Sequence, residues 1–180
     1  MKNALDLIDA INERIGQAVS WMTLFMVLTT LAIVILRKGF DLGWMAMQES
    51  VLYLHAAVFM AGAAFALRHE AHVRVDILYR RFPDRIQGWI DLVGTVFLLF
   101  PVCGFIAWMS WEYVAQAWAL KEGSREAGGL PWVYLLKTLI PLACVLLIIQ
   151  GVAQMMRTIL CLRGELRHPQ DEEELPGEEL

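Results

Sequence analysis

The stretch Arg68-His69-Glu70-Ala71-His72-Val73-Arg74-Val75-Asp76 is the densest polar run in the interior of the chain, set between two long apolar segments. Before it, Trp44 to Leu67 is nearly all apolar; after it come Arg80, Arg81 and Arg85, and a further apolar run begins near Gly88. Five arginines in one short connection mark the side of a membrane that is not translocated, because cationic loops stay on the cytoplasmic face. The polar run therefore reads as a cytoplasmic hinge between two membrane-spanning helices.

Working outward, about 18 apolar residues at about 1.5 Å each cover roughly 27 Å, close to the thickness of a hydrocarbon core. Val19 to Leu36 meets that length, and Arg37 to Gly43 then breaks the run. The spans fall at about 19–36, 44–67, 88–110 and 131–156. Pro101 stands inside the third, where a missing backbone donor predicts a kink, and that helix can continue to Leu120. Ahead of the first span, Leu5, Ile8, Ile11 and Ile15 recur at helical spacing, so 1–17 reads as an amphipathic helix in the headgroup region. Val73, Ile77, Leu78 and Phe82 give the hinge a second amphipathic helix, whose Arg74, Arg80 and Arg81 can reach anionic headgroups. The fold class is an all-α membrane protein: four transmembrane helices in a domain over 18–156, with amphipathic helices at the N-terminus and in the hinge.

Composition agrees. The chain is 58% hydrophobic with mean hydropathy +0.51, above the roughly 45–50% apolar content of soluble domains. Its net charge of −4 comes from acidic residues crowded into the last ten positions. The 157–180 segment reads as a solvated cytoplasmic tail with too little apolar surface to fold. Arg157, Arg163 and Arg167 repeat the inner-side signature, which places both termini in the cytoplasm. Trp21, Trp44, Trp89, Trp108, Trp111 and Trp132 fall near span ends, as an aromatic belt does.

Ionisable groups in lipid cost about 3 kcal/mol unless paired or near the interface, so each needs an account. Glu49 lies about one and a half turns into the second span. Arg37 can sit at similar depth, which predicts a pair within the chain or across a partner interface; the alternative is that Glu49 reaches headgroup water unaided. Lys137 is a snorkelling residue or a second partner for Glu49. Asp91 is expected to meet a hinge arginine. His55 has no second histidine at its depth to complete a bis-histidine haem site, and reads as packed or hydrogen-bonded against a neighbouring helix. Gln48, Gln150 and Gln154 are candidates for inter-helix contacts. Cys103, Cys144 and Cys161 have no metal or redox spacing and read as small hydrophobes. No phosphate-binding glycine loop and no paired broken helices are present. The chain is expected to be neither an enzyme nor a carrier on its own, and to bind no nucleic acid.

Trp44, Glu49 and the run Arg68, His72, Val73, Arg74, Asp76 together resemble the small membrane subunit, or DctQ-like Q component, of tripartite ATP-independent periplasmic (TRAP) transporters. The likeness covers about Arg37 to Met156; it departs in that Met45-Ala46-Met47-Gln48 fills the space between Trp44 and Glu49. The resemblance implies a machine of the bacterial inner membrane. A periplasmic solute-binding protein delivers the cargo, a large membrane subunit (the M component) moves it with sodium, and the small subunit is a fixed scaffold. It implies that Trp44, Glu49, Arg68, His72, Val73 and Asp76 serve structure or a partner interface, and that no cofactor resides in this chain, sodium belonging to the large partner; Arg37, Arg74 and Lys137 join them as structural, partner or lipid-interface candidates on the charge arguments above. Leu52-Tyr53-Leu54-His55-Ala56 resembles a branch associated with mannitol, chloroaromatic or 2-oxoacid cargo, so the implied solute is an organic acid. Gly62, Ala61, Ala63, Ala64 and Ala66 offer a smooth surface either to that partner or to the chain's own helices. The competing reading is a haem-binding, cytochrome-like membrane anchor of an oxidoreductase.

Overall fold

The computed structural model describes residues 2–68 and 82–162. The helices are α1 (Lys2–Gly39), α2 (Met45–Arg68), α3 (Asp84–Gly94), a π-helical turn (Thr95–Leu99), α4 (Phe100–Ala119) and α5 (Val133–Leu162). The π turn joins α3 and α4 into one rod, so four stretches are long and apolar enough to cross a membrane: Ala10–Gly39, Met45–Leu67, Ile86–Ala119 and Val133–Leu160. The chain is an all-α membrane protein. Arg68 and Asp84 lie at one end of the helices, called here the hinge end; Gly39 to Trp44 and Leu120 to Trp132 connect them at the other, the loop end.

The first surprise is α1. It runs unbroken for 38 residues, about 57 Å at about 1.5 Å per residue, so the amphipathic first turns and the first span are one rod. No helix breaker separates them, and the apolar stripe of the first turns is met by protein: Ile8 packs against buried Ala153 and Leu160 of α5. Asn12 sits in the same stripe, 4% exposed. Its amide donates to Gln150 Oε1 at 2.5 Å and lies 3.5 Å from the Ala64 carbonyl. One side chain thus ties α1 to both α2 and α5. One turn on, Gly16 is buried against the Phe65 ring, and a Cβ there would run into the ring carbons.

In space the helices follow the order α1, α2, α5, α4, each packing chiefly on the next. Neither α1 nor α2 forms an extensive interface with α4, so the arrangement does not close into a four-helix bundle, although the first turns of α1 also reach α5. The contacts between neighbours use small residues. Among the described residues the buried apolar set is Ala64, Cys103, Val114, Ala117, Ala143, Cys144, Ala153 and Leu160. Lipid tails are as apolar as leucine, so helices in a bilayer gain from close backbone approach and internal polar contacts more than from hiding grease. The small residues of α2 are used inside the chain: Ala64 is fully buried, and a Cβ on Gly62 would sit 3.7 Å from Val19 of α1. Cys103 and Cys144, read from sequence as inert hydrophobes, are both buried and free, with their thiols in mutual hydrogen-bonding reach where α4 meets α5.

Pro101 acts one turn upstream. The Phe100 N–H donates to the Thr95 carbonyl, a five-residue step, so the helix widens ahead of the proline, which then occupies the first turn of α4 where no donor is needed. Pro141 lies inside α5. At the loop end of α1 the chain reverses with Asp41 in the left-handed region (φ 54°), and not with either flanking glycine; a short polar side chain is among the few that tolerate it.

The close approach at Gly16 is testable. Gly16→Leu is expected to destabilise the purified protein by about 1–3 kcal/mol, the range for overpacking a tight contact, read as a lower thermal midpoint. Gly39→Leu, where a side chain meets open space, should leave it unchanged.

Candidate functional site

One cluster of polar groups among the described residues lies where the helices emerge at the loop end. Glu49 is half-buried in the second turn of α2. One carboxylate oxygen, Oε2, accepts the backbone N–H of Leu130 at 2.6 Å; the other accepts the Ser124 hydroxyl. The same hydroxyl oxygen accepts the Glu126 N–H at 3.1 Å, and the Ser124 N–H donates to the Leu130 carbonyl at 2.9 Å. A Cβ on Gly129 would lie 2.8 Å from Glu49 Oε1 and nearer still to Ser124. Only glycine lets the backbone come this close to the carboxylate. Gly128, at φ +77°, turns the chain just before it.

The effect is that one side chain from α2 holds both strands of the α4–α5 connection. A carboxylate accepting from a backbone amide and a hydroxyl gains about 1.5–3 kcal/mol per hydrogen bond, more than a neutral acceptor would. Within the chain, neither Arg37 nor Lys137 is its partner. Arg37 is exposed in the last turn of α1, where its charge suits the negative end of the helix dipole, and it makes no ion pair among the described residues. Lys137 pairs with Glu122 at 2.5 Å, and its ammonium lies 3.8 Å from the centre of the Tyr113 ring. Glu122 also takes part through its backbone, donating to the Ala117 carbonyl at 2.9 Å. Beside it the Trp118 indole N–H donates to Thr138 at 2.8 Å, and its ring meets Tyr134 edge to face at 4.7 Å. The loop is therefore clamped twice, by Glu49 through Ser124 and Leu130, and by Lys137 through Glu122.

The remaining sequence-derived residues scatter. Trp44 is exposed just ahead of α2 and its carbonyl accepts from Met47 at 3.2 Å. Arg68 ends α2. His72, Val73, Arg74 and Asp76, with the amphipathic helix expected around them, lie outside the described residues, as does the 163–180 portion of the tail. Asp91 borders a cleft between α2, α3 and α5. His55 is exposed and stacks on Phe59 at 6.5 Å, so it faces away from the neighbouring helices and not into them. Gln48 is exposed; Gln150 is fully buried on Asn12. Asn12, Ser124, Glu122 and Gly129 were missed. Asn12 carried a signal, a polar residue in line with Ile8 and Ile15 on an apolar stripe; the loop residues carried none, since nothing in a polar, glycine-rich connection says which atom meets a carboxylate 75 positions away.

With this geometry described, comparison with known proteins identifies the chain's relatives. A family model for the DctQ component of tripartite ATP-independent periplasmic transporters matches residues 26–161. The chain belongs to the DctQ family. It is the small membrane subunit of a TRAP transporter, a transporter component and not an enzyme. Membership implies association with the other components of such a transporter. No curated protein and no solved structure matches it significantly. The DctQ match begins within α1 and ends near the end of α5, so it includes all of Glu49's partners but not Asn12.

The Glu49 clamp makes a direct prediction. In membrane vesicles with the loop end exposed, Glu49→Ala should raise the rate of tryptic cleavage at Lys121 or Arg125 on the order of tenfold, the factor for losing about 1.5 kcal/mol or more of charged hydrogen bonding. Glu49→Gln, which keeps one acceptor oxygen and gains a donor for Ser124, should cleave at close to the wild-type rate.

Proposed function

We propose that this DctQ protein is the fixed scaffold of its transporter in the bacterial inner membrane. Its hinge end and both termini face the cytoplasm, and its loop end faces the periplasm. It broadens the footprint of the large sodium-coupled subunit in the membrane, and its clamped loop forms part of the platform on which the periplasmic binding protein docks. The cargo is an organic acid delivered by that binding protein.

The observation that carries this reading is the open arrangement of helices. An arrangement that does not close leaves wide apolar faces, and one of them can lie against a large membrane partner while another meets lipid. Exposed side chains along it include Phe25, Leu28 and Leu31 on α1 and Phe105, Trp108 and Trp111 on α4. The buried polar side chains among the described residues are Asn12, Gln87 and Gln150. Asn12 and Gln150 spend hydrogen bonds on fixing helices to one another, and Gln87 caps the Phe82 carbonyl at 2.8 Å. A solute path would need convergent polar groups lining a cavity at mid-depth, and these side chains serve packing instead. The loop supports the docking part of the proposal because a rigid, pre-ordered surface lowers the entropy cost of association.

Two measurements test the proposal. Co-expressed with the large subunit, the wild-type chain should co-purify with it and support solute uptake in proteoliposomes supplied with the binding protein, while the chain alone should give none. Glu49→Ala should keep co-purification and lower uptake by raising the binding-protein concentration needed. Uptake by the isolated chain, or full uptake by the large subunit without it, overturns the scaffold role. For orientation, a cysteine at Arg125 should react with an impermeant maleimide in intact spheroplasts and one at Arg80 should not, in a chain whose native cysteines are replaced.

A further inference from the structure

The described side chains of α2 are buried or half-buried except for Gln48, Leu52, His55 and Phe59. Leu52 is 57% and Phe59 69% exposed. Spacings of four, three and four residues bring the four side chains onto one narrow stripe, in the rhythm of a seam along which two helices cross at about 20°. Elsewhere α2 is engaged within the chain: Gly62 and Phe65 meet α1, Ala64 lies beneath Asn12, α5 packs along it, and Glu49 reaches the loop between α4 and α5.

His55 is out of place against lipid. Within the apolar stretch Met45–Leu67 it stands ten residues from one end and twelve from the other, about 15 Å and about 18 Å at about 1.5 Å per residue. In a hydrocarbon core about 30 Å thick that is mid-depth, beyond the reach of an imidazole to water on either side. A neutral imidazole has one N–H donor and one acceptor nitrogen. Among the described residues its ring stacks on Phe59 with centroids 6.5 Å apart, and it makes no hydrogen bond. Polar side chains at this depth face the interior of an assembly and pair there. His55 faces out of this chain, so the interior it belongs to is completed by another. Gln48, seven residues nearer the loop end on the same stripe, presents a second donor and acceptor to whatever lies there.

We propose that Gln48, Leu52, His55 and Phe59 are the seam against which a transmembrane helix of the transporter's large subunit packs, that helix carrying at mid-depth a side chain that hydrogen-bonds His55. The spacing calls for a helix, and the depth for one that crosses the bilayer. The proposal rests on the scaffold reading above: family membership implies association with other transporter components, and of these the large subunit is the one that crosses the membrane. Leu52 and Phe59 supply close packing, and the imidazole supplies the contact that lipid cannot imitate, which fixes the register of one helix on the other.

The test uses the full chain co-expressed with the large subunit and purified in mild detergent. With p-benzoylphenylalanine in place of Leu52 or Phe59, illumination should join this chain to the large subunit. His55→Leu should raise the dissociation constant of the two subunits about tenfold, the factor that corresponds to about 1.4 kcal/mol and lies within the range for one hydrogen bond between membrane helices. His55→Asn, which keeps a donor and an acceptor, should restore most of the affinity. In the isolated chain His55→Leu should leave the thermal midpoint unchanged; a lowered midpoint means that the imidazole serves this chain's own packing, and overturns the seam. Given wild-type subunits that co-purify, a cross-link to a second copy of this chain, cross-links to lipid alone, or undiminished affinity in His55→Leu overturns the seam and leaves the scaffold reading standing. Wild-type subunits that do not co-purify end that reading and the seam with it.

Discussion

A helix in a bilayer loses nothing by facing lipid, so what holds four of them in one arrangement must be contact that lipid cannot imitate: near-touching backbones and hydrogen bonds between side chains. In this protein that constraint explains which residues are buried. The interior is made mostly of small residues, alanines, cysteines and glycines, with Gly16 against Phe65 and Ala64 beneath Asn12. The large apolar side chains, Trp21, Phe59, Phe97 and Trp108 among them, are on the outside. A soluble protein of the same residues would be turned inside out.

The same constraint accounts for the two places where polar atoms are spent. Near the hinge end, Asn12 and Gln150 tie α1 across α2 to α5, which keeps an outlying helix from drifting in an arrangement that does not close on itself. At the loop end, Glu49 reaches a connection about 80 residues further along and holds it from inside. In each case one polar side chain joins elements distant in sequence, and in each case a close-packed small residue, Ala64 or Gly129, makes room for it. The proline and the π turn shift the hydrogen-bonding pattern of the third span beside the cleft that α2 and α5 border. An open arrangement of helices with a doubly held loop suits a subunit of a larger membrane assembly.

The amino-acid sequence alone determined the all-α class, the number of spans and the family. Each of those follows from a local quantity: the length of an apolar run, the sign of charge at its ends, the Trp44, Glu49 and arginine-histidine pattern. It also singled out Glu49, because a carboxylate in an apolar run is costly wherever it ends up. Tertiary structure alone decided its partners within the chain, and they are Ser124 and Leu130, not Arg37 or Lys137. It likewise decided that Asn12 is buried, that α1 is one rod packed against α5 where the periodicity suggested a segment lying flat, and that His55 faces outward. The reason is physical: an amphipathic stripe states that a face is apolar but not whether lipid or another helix covers it, and in a membrane the two cost nearly the same. Only the packed chain, where close approach and hydrogen-bond geometry act, tells them apart.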